Sequence, residues 1–434
     1  MILENWLYAD LLNTRTDFCE PLKKNIKCDT LVVGGGIAGL HAALRLADSG
    51  KDVVLLEKSI CGGSSSGKSA GFLTPSTESD LSNLIDYYGT DQAKFLYNIP
   101  KIGINLIIST AKKYKFNCDL QKQDSLYLAV SKSHTEFLKE EAQAYRKLGF
   151  AYTFYDAKKI RSIHPGKGYF GGLSYSGTYC INSLVYTQQL KNLLVKKGVR
   201  VYEGSEVHNI TGNTAKTHLG SVRAKNIIVC IDKMTYEFDK DFSKKYYHMQ
   251  SYLAISEPLS KTEIKDIFPK KKFMCWDTRH VYTHYRMMGN DRLLIGGGSF
   301  FTYYYPKYWN SPFVIEMVIN EFKKRFDTLK DVKFSQYWNG LIDVTKDLTP
   351  IVDFDPKNKY VQYVLGCAGL PFASFCGDYA AKRILNTHQK EYAKHLRYDR
   401  EFFISDTLQM ILGKPISFLI SHIHALTHPS LKKS

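Results

Sequence analysis

The stretch whose reading decides the fold is "DTLVVGGGIAGLHAAL", Asp29 to Leu44. A short apolar, β-branched run leads straight into three glycines, and a helical pattern opens directly behind them. Gly34-Gly35-Gly36-Ile37-Ala38-Gly39 matches G-x-G-x-x-G, and Glu57 closes the next apolar run, "VVLLE", 18 residues beyond Gly39. Alone, the glycines would mark only a turn. Set between a strand and a helix, with an acid at that distance, they form a dinucleotide fingerprint. Gly34 permits the tight turn, Gly36 lets the main chain approach a pyrophosphate, and Gly39 lets helix and strand pack closely. Free N–H groups and the positive end of the helix dipole face the phosphates. Glu57 can accept from ribose hydroxyls and would repel a 2′-phosphate. Leu40, Ala43, Leu44, Leu46 and Ala47 make the buried helix face, and Gly50 stops the helix.

The fingerprint serves FAD and NAD alike. The next segment, "SICGGSSSGKSAGFLTP" from Ser59 to Pro75, is nearly all small residues between Gly62 and Gly71. Such a loop can wrap an extended ligand closely, and its one cation, Lys68, sits inside the wrap.

Working outward, 434 residues suggest two or three domains, and 44% hydrophobic with 23% charged residues fits a soluble globular chain. No apolar run approaches the roughly 20 residues of a membrane span. Met1 to Asp10 contains Glu4 and Asp10 and does not have the form of a secretory signal. Nine scattered cysteines, with no C-x-x-C, read as reduced thiols in a cytoplasmic protein. Thirteen histidines give no H-E-x-x-H, so no metal site is expected. The net charge of +17 comes from short lysine groups spread along the chain, which reads as a solvated surface favouring anionic neighbours.

The pattern alternates. Residues 29–58 read strand, helix, strand; residues 80–147 are mainly helical around the strand "SLYLAV"; a helix and strands return from 184 to 232. Residues 246–300 are β-rich, and 360–385 read strand, glycine loop, helix. Gly296-Gly297-Gly298 follows an apolar run, but no helical pattern with a distal acid succeeds it. This second triple glycine reads as a strand end.

These blocks, in this order, resemble the D-amino-acid oxidase (DAO) family of FAD-dependent amine oxidoreductases, most of all its γ-glutamylputrescine oxidase branch. The resemblance runs from about Trp6 to Ile384. It is carried by the fingerprint, the small-residue loop, "LSNLIDYYGTDQAKFLYNI", "GGLSYSGTYCINSLVYTQQL", "DTRHVYTHYRMMGNDRLLIGGG", "YWNGLIDVTKDLTPIVDF" and the terminal glycine loop. It implies a mixed α/β fold of the glutathione-reductase type. A Rossmann-like FAD-binding domain would comprise 26–79, 170–245 and 335–390; a discontinuous β-rich substrate domain 80–169 and 246–334; and a helical tail 391–434. It also implies non-covalent FAD. The cofactor would lie on Gly34, Gly36, Ile37, Ala38, Gly39, Glu57 and Lys58, with Ser65, Ser66, Gly67 and Lys68 running past the pyrophosphate and flavin. Val207 would hold the adenine through its backbone, and Gly366, Gly369 and Leu370 would line the ribityl chain and pyrimidine end.

The chain departs from the branch at three places. Lys68 stands in Gly67-Lys68-Ser69-Ala70-Gly71, where Gly-Arg-Asn-Gly-Gly is usual. Lysine keeps the charge but not the bidentate fork. Cys367-Ala368-Gly369-Leu370-Pro371 replaces a Ser-Gly-His-Gly-like run, and Ser183 replaces a proline. No cysteine near Gly340-Leu341 matches the flavin-linking residue of sarcosine oxidases.

The implied chemistry is hydride transfer from the α-carbon of a neutral amine to flavin N5, imine hydrolysis by water, and reoxidation by oxygen. Catalytic candidates are Lys68, His284 and Arg286. One strand would place His280, Tyr282, His284 and Arg286 on one face and Tyr285 on the other. Arg286 could anchor a substrate carboxylate or make a structural salt bridge; His284 could act in catalysis or be a satisfied histidine. Lys68 could assist oxygen reduction or hold the flavin C2 carbonyl. Two other functions fit less closely: a dehydrogenase passing electrons to quinone at a membrane, and a flavin-bearing tRNA modification factor suggested by charge. No aromatic-basic module supports nucleic acid.

The tail offers Leu408, Ile411 and Leu412, then Ile416, Leu419, Ile420 and Ile423 after a break at Gly413-Lys414-Pro415. This apolar face must cover the protein, a second subunit or a lipid surface, the last helped by Lys432 and Lys433.

Overall fold

The computed structural model describes residues 1–7, 18–75, 78–305 and 307–426. From the N-terminus, β1 (Asn25–Val33) turns into α1 (Ile37–Asp48) and continues to β2 (Val53–Leu56). Next come α2 (Leu81–Tyr88), α3 (Thr90–Lys113), β3 (Asp124–Ala129), α4 (Lys132–Leu148), β4 (Gly171–Tyr175), α5 (Ser183–Lys196), β5 (Arg200–Tyr202) and β6 (Ser221–Val229). The long β7 (Tyr246–Pro258) leads to β8 (Phe273–Asp277), β9 (His284–Met287), β10 (Arg292–Gly297) and α6 (Pro312–Lys323). Last are β11 (Phe334–Thr345), β12 (Ile351–Asp355), β13 (Asn358–Leu365), α7 (Leu370–Ile384), α8 (Asp406–Leu412) and α9 (Lys414–Leu426).

The first sheet is built on parallel pairs. β1 lies between β2 and β6, with β5 outside β2 and β13 beside β6. The carboxyl halves of its central strands are buried, so their apolar runs show no alternation: Leu31, Val32, Val54 and Ile228 are fully covered. Val33 is in register with both Leu56 and Val229, so three strands end together. The glycine turn, Glu57 and the Cys230–Asp232 segment therefore share one carboxyl edge, where open α/β sheets bind ligands. α1 and α7 pack so closely on each other that a side chain at Gly377 would meet the Ala38 carbonyl at 1.9 Å.

The second sheet has nine strands, in the order Ile2–Leu3, β11, β7, β10, β9, β8, β3, β4, Thr153–Tyr155. Here the side chains alternate. Leu126, Leu128, Cys275, Tyr285 and Ile295 face a core shared with Ile315 and Phe322 of α6. Tyr127, Trp276 and His284 occupy the positions between and face a cavity instead. β9 is shorter than its sequence suggests. It starts at His284, and residues 281–283 are a loop.

The tail breaks at Gly413, as the pattern indicates, but its apolar face does not dock on the described residues. Phe418 and His422 are fully buried, Phe418 stacking on Tyr247 at 5.3 Å and the His422 Nε2–H donating to the Thr345 carbonyl at 2.8 Å. Asp406 is held by Lys245 at 2.6 Å and Lys346 at 3.1 Å. These tethers turn Leu408, Ile411, Ile416, Ile420 and Ile423 outward, with Ile411 77% exposed. Lys432 and Lys433 lie outside the described residues. Among the described residues no helix is long and apolar enough to cross a membrane.

Candidate active site

At the β1–α1 turn, Gly34 has φ +105°, and a Cβ there would lie 2.3 Å from the Cys230 carbonyl. A Cβ at Gly39 would lie 2.0 Å from the Gly34 carbonyl. At Gly36 the nearest atom is the Ser66 hydroxyl, 3.2 Å away, so this glycine faces open space. The Ile37 N–H, first in α1, donates to Ser66 Oγ at 3.0 Å. Glu57 accepts from the Gly35 N–H at 2.7 Å and the Ser59 N–H at 2.9 Å, so it braces the turn from behind. Burial raises its pKa above the ordinary carboxylate value, opposed by those two amides.

A cavity of about 380 Å³ lies beside Gly34, Glu57, Lys58 and Val207. It adjoins a second of about 1020 Å³ through the shared residues Gly36, Ser66, Cys230 and Asp232. Together they make an elongated trough. Ile37, Ala38, Ser65, Ser66 and Lys68 line the larger part, as do Gly366, Gly369 and Leu370. Gly39 and Gly67 stand behind the wall rather than in it. Leu370 opens α7, whose first turn completes the far end of the trough. An acid at one end, a helix N-terminus in the middle and a glycine loop at the other end fit an extended FAD.

The small-residue loop is held by partners distant in sequence. Asn5 Nδ2 donates to the Gly67 carbonyl at 2.8 Å and Trp338 Nε1 to the Lys68 carbonyl at 3.1 Å; Ser65 Oγ donates to Asp232. The Lys68 ammonium lies 5.0 Å above the Tyr308 ring. Sequence reasoning overlooked a second cation in the trough, Lys233. It donates to Ser64 Oγ at 2.7 Å and lies 5.7 Å from the same ring. The signal was available: Asp232 and Lys233 directly follow β6, at the carboxyl edge that carries the fingerprint.

Arg286 requires a correction. It shares the His284 face of β9, yet it is fully buried and does not line the cavity. Its Nε donates to the Ala70 carbonyl at 2.7 Å, Nη2 to the Ile181 carbonyl at 2.9 Å and Nη1 to the Met287 carbonyl at 3.3 Å. Among the described residues it forms no salt bridge, and it does not reach the cavity in which a substrate carboxylate would lie. With these donors committed to main-chain carbonyls, it clamps the loop ending at Gly71.

His284 does line the cavity, with its ring edge-on to Phe72 at 5.7 Å. Its Nδ1 is buried without a protein partner among the described residues. Burial lowers its pKa to about 4, so the imidazole is neutral at pH 7. His280 and Tyr282 reach the same cavity from the loop before β9. Tyr127 and Trp276, with ring centroids 5.7 Å apart, continue this wall, and Glu78 and Asp80 close it. Sequence reasoning assigned none of these four a role, because they come from three segments with no local signature in common.

Residues 29–383 match the family model described as DAO, FAD dependent oxidoreductase. The chain belongs to the DAO family of FAD-dependent oxidoreductases. It is 30% identical to γ-glutamylputrescine oxidoreductase of Escherichia coli (strain K12) over 370 residues, covering 83% of this chain and 84% of that protein. Its fold is shared with glycine oxidase from Geobacillus kaustophilus, at TM-score 0.73 and 15% identity, covering 87% of this chain and 99% of that one. L-proline dehydrogenase from P. horikoshii aligns at TM-score 0.71 and 15% identity, covering 90% and 99%. The chain is thus an FAD-dependent oxidoreductase.

Proposed function

We propose that the chain oxidises a primary or secondary amine to an imine, which water hydrolyses, with oxygen as the final electron acceptor. The observation that carries this reading is the neutral His284, whose Nδ1 has no partner among the described residues, in a cavity continuous with the dinucleotide trough. FAD, when bound, supplies the two-electron acceptor for the C–H bond beside the amine nitrogen. Segments 26–79, 170–245 and 335–390 would hold it, and 80–169 and 246–334 would form the substrate side. Held neutral by burial, His284 can exchange a hydrogen bond or proton with the amine without carrying charge. Phe72, Tyr127 and Trp276 exclude water from the amine. Lys68 would place its positive charge beside the trough, where reduction of oxygen builds negative charge. The name of the Escherichia coli relative supports an amine substrate. The absence of a disulfide among the described residues is compatible with a reducing, cytoplasmic setting.

The test is anaerobic titration of the holoenzyme with a panel of amines and amino acids, followed by admission of oxygen. Loss of the oxidised flavin absorbance with at least one amine, then stoichiometric peroxide, is the expected result. If no amine bleaches the flavin, the reading fails. Bleaching without peroxide would move the acceptor to a quinone. The outward apolar face of α8 and α9 favours that second reading, because a lipid surface could cover it. Sedimentation with anionic vesicles, lost on truncation after Asp406, would support it.

A further inference from the structure

The substrate end of the larger cavity has a chemical character that the reaction by itself does not require. Glu78 and Asp80 lie in its wall, just before α2. The Tyr282 hydroxyl donates to Glu78 and the Tyr127 hydroxyl to Asp80. Glu141 stands beside them, with its two oxygens accepting the Leu81 and Ser82 N–H groups at 2.8 and 2.9 Å. Asp80 feels the negative charges of Glu141 and Glu78; no lysine or arginine among the described residues acts appreciably on Asp80 or Glu78. Burial first, and for Asp80 this mutual repulsion as well, lifts both carboxyls above their ordinary range. Among the described residues, negative charge gathers at Glu78 and Asp80 and no lysine or arginine there offsets it.

The rings around these acids point to the same ligand. Tyr127 and Trp276 stand 5.7 Å apart, with Tyr175 5.9 Å and Phe72 6.3 Å from Trp276. Aromatic faces beside carboxylates attract alkylammonium groups, the rings through their quadrupoles and the acids through charge.

Among the described residues, the cavity wall carries few cations for a substrate carboxylate. Among the described residues lining the cavity, the only arginine is Arg279. Its Nη2 bonds Asp277 at 2.7 Å and its Nη1 bonds Glu321 at 2.9 Å. Arg286 is spent on main-chain carbonyls. Lys68, the only lysine among the described residues of the wall, lies over Tyr308 on the dinucleotide side.

We propose that the substrate is an aliphatic di- or polyamine whose second, charged nitrogen is held by Glu78 and Asp80 within the Tyr127–Trp276 wall, rather than an amino acid or a carboxylate-bearing amine. This rests on the amine-oxidation reading above and narrows its substrate. The distal ammonium would place positive charge beside Glu78 and Asp80. It would also set the distance at which the other, neutral nitrogen meets His284.

The experiment compares diaminobutane, pentylamine and aminopentanoate as reductants of the holoenzyme flavin without oxygen. The three share nearly one length and differ in the far end: charged amine, methyl or carboxylate. The diamine should show a half-saturating concentration at least 30-fold below either of the others. Asp80→Asn and Glu78→Gln, each checked for FAD content and melting temperature, should lower the diamine-to-pentylamine preference at least tenfold. A wild-type enzyme that favours aminopentanoate, or treats diamine and pentylamine alike, overturns the inference while the amine-oxidase reading stands. A preference unchanged in both folded variants overturns it as well. Should none of these or any other amine bleach the flavin, the amine reading itself falls.

Discussion

"LVVGGG" and "LLIGGG" are nearly the same hexapeptide, Leu31–Gly36 and Leu293–Gly298, and they do different work. The first ends a central strand of parallel pairs. Gly34 there takes φ +105°, and the room for a side chain is filled by the main chain of Cys230. The second ends an antiparallel strand between β7 and β9, and none of its glycines has positive φ. A Cβ at Gly296 would meet side chains, His284 Nε2 at 2.3 Å and Leu253 at 2.5 Å. One glycine run serves a backbone shape; the other leaves room for a neighbour's ring. The same letters thus carry opposite tolerances, because what stands opposite them differs.

This contrast can be broken by substitution. Gly34→Ala should cost on the order of 3–5 kcal/mol, since it adds a strained φ to an overlap with rigid backbone. A sharp fall in melting temperature and loss of FAD from the purified protein are the readouts; a stable, yellow Gly34→Ala enzyme would refute the backbone account. Arg286 joins the two regions, reaching from the strand beside Gly296 to the loop that serves the first turn. Arg286→Lys should remove at least one charged hydrogen bond, about 2 kcal/mol, and lower FAD retention equally whichever amine is assayed. An effect confined to carboxylate-bearing substrates would restore the anchor role.

Gly296→Ala should leave FAD content intact, because only side chains must give way. Displacing the His284 ring should still reduce kcat/KM roughly 10- to 100-fold. Unchanged turnover would remove His284 from the chemistry. The smallest effect is shared by both regions. His41, behind the first turn, and His284, beside the second glycine run, are each lowered by burial from 6.5 to about 4. The unfolded imidazoles therefore take up protons first as pH falls, and the stability present above pH 6.5 is lost on the way down to about 4. Over the first pH unit below 6.5 the loss should be about 1 kcal/mol per imidazole. Denaturant titrations at the two pH values measure it, and His284→Gln should flatten the slope.

Much of this was readable without coordinates. The fingerprint is local: strand, glycines, helix and acid fall within 29 residues, Asp29 to Glu57, and each obeys a periodicity or a dihedral rule. The alternation of β9 was also visible, which put His284 and Arg286 on one face. Alternation could not say how deep each would lie. Arg286 is covered because the loop at Ala70 and the segment at Ile181 close over it.

The tail shows the same boundary. Its apolar spacing correctly marked two helices broken at Gly413, but the face that docks was chosen by the Asp406 ion pairs and the His422 hydrogen bond. The sequence by itself determined the fold class and the cofactor, because those follow from short-range backbone conformation and residue order. Only the tertiary structure decided which charges are spent and which remain. It set Glu78 and Asp80 near Tyr127 and Trp276 from three separate segments, and it committed both Arg279 and Arg286 elsewhere. Charge balance in a buried site is a sum over neighbours distant in the chain, and no window of sequence contains that sum.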